Sequence, residues 1–149
     1  MTATYFRLAL ALLLATPIFA SAQTGLELDL GAKVCLLVET PPSDTAALGV
    51  DKQALQNRAE LRLRQAGLSL CSATEPQYVY VQVDALPGAF SISVSFNRQV
   101  IYFFNGKQQQ VFARTWSKGY VGRNLSLLMQ TLDLALDAFL IEFQRANSK

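Results

Sequence analysis

The sequence predicts an α+β domain, in which a βαβ unit is followed by an antiparallel three-stranded meander and a C-terminal helix, with two helices packed on one face of a single mixed five-stranded sheet. Three patterns predict it. A strand, a helix and a second strand follow one another between Val34 and Cys71. Two tight-turn signals, Pro87-Gly88 and Asn105-Gly106, separate three runs of alternating apolar residues. A last apolar stripe has the spacing of a helix.

Residues 1–22 have the pattern of an export signal. Arg7 is basic, Leu8 to Ala15 is an unbroken apolar run, and Pro17 precedes the small residues Ala20-Ser21-Ala22. The run is well short of the roughly 20 residues that a spanning helix needs, and no Cys follows closely enough for a bacterial lipoprotein anchor. We therefore expect residues 1–22 to be removed and residues 23–149 to form one periplasmic or secreted domain.

The charge balance argues against a polyanion partner. The whole chain has 13 basic and 11 acidic residues, a net charge of +2, and Arg7 is the only charged residue of the predicted signal. A nearly neutral exported protein is not expected to bind nucleic acid. The remainder of the chain has no second long apolar run, so no stable membrane span is expected after the signal is removed.

The chain has two cysteines, Cys35 and Cys71. In an oxidising compartment such a pair predicts a structural disulfide. A redox pair is the alternative, but it has no C-x-x-C motif to support it. Closing a loop of this length would stabilise the fold by about 3 to 4 kcal/mol in the chain-entropy model.

The predicted βαβ unit starts with Val34 to Val38, whose residues are apolar on both faces, as in a central buried strand. A helix is predicted from Asp51 to a stop at Gly67. Its apolar stripe is Leu55, Ala59, Leu63 and Ala66. Leu68 to Cys71 is predicted to be a second strand, parallel to the first, which would bring the two cysteines together.

The Asn105-Gly106 turn fixes the pairing of the last two strands if it is a two-residue loop. Counting back from it pairs Phe96 with Thr115 and Ser95 with Trp116.

The Pro87-Gly88 turn, treated in the same way, pairs Val83 with Ile92 and Val79 with Phe96. Both hairpins then place the same side of the middle strand inward. The predicted core face consists of Val79, Val81, Val83, Phe90, Ile92, Val94, Phe96, Val100, Val111 and Ala113.

The opposite face of the meander is predicted to carry a binding patch. Its members are Tyr78, Tyr80, Arg114 and Trp116, with Phe112 at the margin. Aromatic residues and arginine are enriched at binding hot spots, and arginine stacks on aromatic rings. Two alternatives remain: aromatic residues also suit any sheet, and a loop or the segment Thr24 to Gly31 would cover the patch. A platform for single-stranded nucleic acid is disfavoured by charge and export.

The last helix is predicted from Leu125 to Arg145, with Asn124 as its cap. Its apolar stripe is Leu128, Leu132, Ala135, Phe139 and Phe143. Asp133 and Asp137 are one turn apart and are interpreted as part of a solvated face. The glycine-containing segment Trp116 to Gly122 is predicted to be a tight turn into this helix, in preference to an anion site.

The chain contains no histidine. This removes the usual general base and the commonest metal ligand. The sequence therefore predicts no catalytic residue, no metal site and no cofactor, although carboxylate chemistry stays open.

Three stretches carry a resemblance to known proteins: Leu61 to Leu68, Thr115 to Gly119, and the helix end from Phe139 to Asn147. Together they resemble a group of small exported bacterial proteins of uncharacterised function. The strand, helix and strand with an Ala-Gly-Leu helix exit also resembles the N-terminal domains of TolB and related envelope-assembly proteins. Such a fold likeness implies an envelope location and transfers no site.

These observations lead to the hypothesis of a non-enzymatic exported protein that binds a protein partner, or another copy of itself, in the cell envelope through the predicted patch. One alternative is a carrier of a small apolar ligand or lipid in a cavity lined by Phe90, Phe96 and Phe139. Another is a hydrolase with an unfamiliar carboxylate site, which would need acidic residues clustered in a cleft.

Overall fold

The structure is a computed structural model that describes residues 25–27, 33–39, 48–71 and 76–148. The predicted signal peptide and most of Thr24 to Gly31 lie outside these residues. The elements in chain order are β1 Cys35–Glu39, α1 Lys52–Gln65, β2 Gln77–Leu86, β3 Ala89–Phe104, β4 Lys107–Gly122, a 3-10 turn Leu125–Leu127 and α2 Leu128–Asn147. The expected α+β class is confirmed.

The sheet formed by the described residues has four strands in the order β1-β2-β3-β4, and the expected count of five is wrong. β1 runs parallel to β2, and the other neighbours are antiparallel. The predicted strand Leu68 to Cys71 makes a single isolated parallel bridge, between Val34 and Leu70. Its two hydrogen bonds join the Val34 amide to the Ser69 carbonyl at 3.0 Å and the Cys71 amide to the Val34 carbonyl at 3.2 Å.

The segment is too short for a strand because its start belongs to the end of α1. The Leu68 amide donates to the Leu63 carbonyl at 3.1 Å, and the Gly67 amide donates to the Arg64 carbonyl at 2.9 Å. With Gly67 at φ +85°, these bonds form the Schellman motif that ends a helix. β1 is consequently an edge strand, not the central one expected, and Leu37, which lies opposite Tyr80 on the face turned away from the helices, is 52% exposed.

The disulfide between Cys35 and Cys71 is present, and the two Cα atoms are 4.9 Å apart. The single bridge at Val34 is enough to bring the two cysteines together. The predicted pairing is therefore confirmed even though the fifth strand is not.

Both predicted helices are confirmed in their main features. The Asp51 carboxylate accepts a hydrogen bond from the Gln53 amide at 2.8 Å and caps α1. The α1 residues that are buried are Leu55, Ala59 and Leu63. The whole predicted stripe of α2 is buried as well, and the Asn124 side chain caps the 3-10 turn that precedes this helix.

The core lies between the helices and one face of the sheet. The β2–β3 pairing is confirmed, with Val83 opposite Ile92 and Val79 opposite Phe96. Seven predicted core residues are buried: Val79, Val81, Val83, Phe90, Ile92, Val94 and Phe96. The remaining three are not, since Val111 is 41% exposed and Val100 and Ala113 are half-buried. Val100 and Val111 belong to the part of the β3–β4 hairpin that extends past the start of β2, and Ala113 lies opposite Arg98 in the row where β2 begins.

Candidate functional site

A β-bulge divides the last strand into two parts. β3 and β4 pair regularly from Phe104–Lys107 to Asn97–Arg114, but Phe96 then lies opposite Trp116, and Thr115 has no partner across the ladder. The predicted pairs Phe96–Thr115 and Ser95–Trp116 are therefore wrong. Because side chains alternate between the two faces, one extra residue moves every later side chain of β4 to the other face.

The sequence contains a signal for this bulge. Before the bulge, the alternating apolar residues Val111 and Ala113 occupy odd positions. After it, Trp116 and Tyr120 occupy even positions. A regular strand keeps one phase, so the change at Thr115 indicates an inserted residue. Counting residue pairs from the Asn105-Gly106 turn does not reveal this change of phase.

Three side chains fasten an N-terminal segment at the bulge. The Thr115 hydroxyl donates to the Gly25 carbonyl at 2.8 Å, an Asn147 amide N–H donates to the Leu26 carbonyl at 3.0 Å, and Arg98 donates to the Glu27 carbonyl at 3.1 Å. Leu26 itself is fully buried in the core. The described part of the predicted covering segment Thr24 to Gly31 is thus tied to the end of α2 and to the bulge.

Trp116 contacts the helices. Its ring packs edge-on against Phe139 with centroids 5.4 Å apart, and its indole N–H donates to a Glu142 carboxylate oxygen at 3.0 Å. Both partners belong to α2. The structure therefore separates Trp116 from the other three members of the predicted patch.

Tyr78, Tyr80 and Arg114 do lie together on the face of the sheet that is turned away from the helices, which we call the open face. Tyr78, Asn97 and Arg114 form one row across β2, β3 and β4, and Tyr80 and Ser95 belong to the next row. Phe112 joins them because its ring meets Tyr78 edge-on at 5.5 Å. We define the open-face patch as Tyr78, Tyr80, Phe112 and Arg114.

The floor of this patch is small and polar. Ser95 is 1% exposed and Asn97 is 9% exposed, and the Asn97 amide donates to the Ser95 hydroxyl at 3.1 Å. Tyr78 and Tyr80 beside them are half-buried, whereas Phe112 and Arg114 are exposed. The arrangement provides aromatic surface, hydrogen-bonding groups and one cation, which suits binding.

Beyond the patch, the β3–β4 hairpin continues as a two-stranded extension that we call the arm, residues 99–112. β2 begins at Gln77, opposite Arg98, so no strand among the described residues borders the arm. The arm ends in the Asn105-Gly106 turn, whose two residues have φ of 50° and 73°, as its two-residue loop requires.

The segment Trp116 to Gly122, predicted to be a turn, belongs to β4 and pairs with Phe90 to Phe96. The bulge lets the strand continue along β3 toward α2. A side chain at Gly122 would overlap the ring of Phe90, which explains a glycine at this position. The amides of Gly119 and Gly122 therefore lie in a strand and not in an anion-binding loop.

The two aspartates of α2 pair with arginines of α1. Arg58 makes a two-pronged contact with Asp133, at 2.9 and 2.6 Å, and Arg62 contacts both carboxylate oxygens of Asp137. The hydrogen bond from Arg58 lowers the pKa of Asp133 below its ordinary value, and its partner raises the pKa of Arg58. Both carboxylates therefore make ion pairs between the two helices.

The phenylalanine rings that were expected to line a ligand cavity pack against other core groups instead. Phe96 stacks on Phe139 at 5.9 Å and meets Phe143 at 6.4 Å, while Phe90 lies over Gly122. These contacts build a packed core at the place where the carrier hypothesis needs a space.

No family model matches the chain, and no curated protein matches it. Among solved structures, the chain is similar to a minor lipoprotein from Acinetobacter baumannii, with 13% identity over 76% of this chain and 90% of that chain, and a TM-score of 0.28. A likeness this distant carries no argument about fold or function. No helix in the described ranges is long and apolar enough to cross a membrane.

Proposed function

We propose that this chain is a non-enzymatic exported protein of the cell envelope that binds a protein partner, or a second copy of itself, through the open-face patch. The observation that carries the proposal is the placement of Tyr78, Phe112 and Arg114 on one contiguous area, on the face that neither helix covers. The Cys35–Cys71 disulfide supports an oxidising compartment.

The patch has the physical properties of a binding hot spot. Its rings sit on a three-stranded support, so they lose little conformational freedom when a partner docks. Phe112 is 55% exposed and offers apolar area, and the exposed Arg114 supplies a guanidinium that stacks on rings and pairs with carboxylates. Trp116, which was predicted to share this role, contributes to the core instead.

Photocrosslinking in the native envelope tests the proposal. A photoreactive side chain is placed at position 112, with the matched control at position 121, because Val121 is another exposed residue of β4 on the open face. The proposal predicts one discrete adduct from position 112, lost when Arg114→Ala is added, and none from position 121. Equal labelling from both positions, or an adduct that persists with Arg114→Ala, would contradict it.

The same experiment distinguishes the two kinds of partner. An adduct formed by the purified protein alone identifies a second copy. An adduct that forms only in envelope extract identifies a different protein, which mass spectrometry of the adduct then names.

A further inference from the structure

The tip of the arm, which we define as Ile101 to Phe104, exposes apolar side chains on both faces of the hairpin. Phe103 is 73% exposed, Phe104 59%, Ile101 56% and Tyr102 41%. Since side chains alternate along a strand, Ile101 and Phe103 point to one face, and Tyr102 and Phe104 point to the other. A partner that docks on one flat face would leave the opposite rings in water.

The tip also stands away from the body of the domain. Six residue pairs, from Gln99–Phe112 to Phe104–Lys107, form the ladder of the arm, which corresponds to a length of about 17 Å. The Asn105-Gly106 turn holds both strands in register. The exposed rings are therefore presented at the end of a structured projection and cannot turn back onto the core.

The charge around the tip has a single sign. The arm has one charged residue, Lys107, and the next charged residues along its two strands, Arg98 on β3 and Arg114 on β4, are also basic. Lys107 pairs with Phe104 in the ladder, so its ammonium group lies beside the apolar tip. A surface that attracts this region must be anionic, and it must also surround the rings with apolar material.

We propose that the tip of the arm inserts into an anionic phospholipid surface, a function beyond the binding of a protein partner at the open-face patch. Aromatic side chains favour the boundary between headgroups and acyl chains. Lysine extends its apolar stem there and keeps its charge at the headgroups, and each basic residue near an anionic bilayer adds attraction that salt weakens. The arm rests at the interface and does not span the bilayer.

Cosedimentation with vesicles tests the proposal. The purified protein, with its N-terminus read by mass spectrometry, is mixed with vesicles of equal parts phosphatidylethanolamine and phosphatidylglycerol, and separately with pure phosphatidylcholine vesicles. We expect binding to the anionic vesicles, weakened by salt. The double variant Phe103→Ser, Phe104→Ser should bind at least about tenfold more weakly, and Lys107→Gln should bind several-fold more weakly.

The matched control is Leu134→Ser, Ile141→Ser, which removes two exposed apolar side chains from α2 instead. This variant should bind like the wild type, and circular dichroism should show all variants folded, because none of the altered side chains is buried.

Three results would overturn the lipid assignment: wild-type protein that stays in the supernatant with anionic vesicles, a Phe103/Phe104 variant that binds like the wild type, or wild-type protein that pellets without lipid. If the position-112 adduct no longer forms in the Phe103/Phe104 variant and the wild-type protein does not bind vesicles, the tip belongs to the protein interface. If the position-112 adduct still forms in the Phe103/Phe104 variant, the proposal for the open-face patch stands, regardless of the vesicle result.

Discussion

At Gly122 the backbone of β4 passes directly beneath the ring of Phe90, and a side chain there would overlap ring carbons. Phe90 is 3% exposed, so its ring is enclosed in the core. Gly119, three positions earlier in the same strand, has only ordinary contacts: a Cβ there would lie 3.6 Å from the Ile92 carbonyl oxygen. The two glycines therefore serve different purposes.

This difference gives a paired prediction at the residue scale. Gly122→Ala should lower the free energy of unfolding by about 1 to 3 kcal/mol, because it overpacks a filled site. Gly119→Ala should change it by less than about 0.5 kcal/mol. Urea unfolding followed by circular dichroism measures both, and equal effects would show that Phe90 does not pack on Gly122.

Single residues also explain which parts of the sheet were predictable. Asn105-Gly106 and Pro87-Gly88 were read correctly because a two-residue turn determines the pairs next to it. The error began at Thr115, where the strand is held by a hydrogen bond to the Gly25 carbonyl, a contact distant in sequence. In the sequence, only the change from odd to even apolar positions after Ala113 indicates the bulge at this point.

At the scale of elements, the disulfide joins the start of β1 to the segment that follows α1. That segment has only one ladder bridge of its own. The covalent bond therefore supplies much of the connection that a full parallel strand would have made.

The double variant Cys35→Ser, Cys71→Ser should lower the free energy of unfolding by about 3 to 4 kcal/mol, since the unfolded chain regains the freedom that the closed loop removes. Thiol reductant should destabilise the wild type by a comparable amount and leave the double variant unchanged. Should the double variant unfold at the wild-type urea concentration, the disulfide would be dispensable to the fold.

The Arg58–Asp133 contact predicts how the helix pair responds to acid. The pKa of Asp133 is lowered in the fold from an ordinary value of 3.8, so its carboxylate stabilises the native state fully above that value, and the contribution is lost as the pH falls through the native pKa. The stability difference between the wild type and Asp133→Asn should therefore be constant at neutral pH and shrink in acid. A difference that keeps the same size across this range would show that the contact has no effect on stability.

Element by element, the helices were the most predictable part because their stripes, caps and glycine stop are local in sequence. β1 was misplaced as a strand buried on both faces because Leu37 is as apolar as a buried residue but is exposed on the open face, opposite Tyr80. Residues of the arm were mistaken for part of the core face because alternation describes a strand equally well with or without a helix over it.

At the scale of the whole molecule, one face of the sheet stabilises the fold and the other is proposed to bind a partner. One face packs against α1 and α2, where the rings of Phe96 and Trp116 contact Phe139 of α2. The open face carries the proposed binding patch, and the arm extends the same two strands beyond the helices. The net charge of +2 gave no sign that the charges are unevenly distributed along the chain. Every charged residue from Ala85 to Leu132 is basic.

The bulge gives this separation a direct test. Phe112 and Trp116 are four positions apart on one strand, so a regular strand would place both on the same face. In the structure Phe112 is 55% exposed on the open face, whereas Trp116 packs on Phe139.

The decisive measurement is the urea-unfolding free energy of Phe112→Ser beside that of Trp116→Ser. We expect Trp116→Ser to lose about 2 kcal/mol or more and Phe112→Ser to lose less than about 1 kcal/mol, the scale of its edge contact with Tyr78. Equal losses, or a larger loss at Phe112, would contradict the division of the sheet into a packed face and an open face, on which the binding proposal rests.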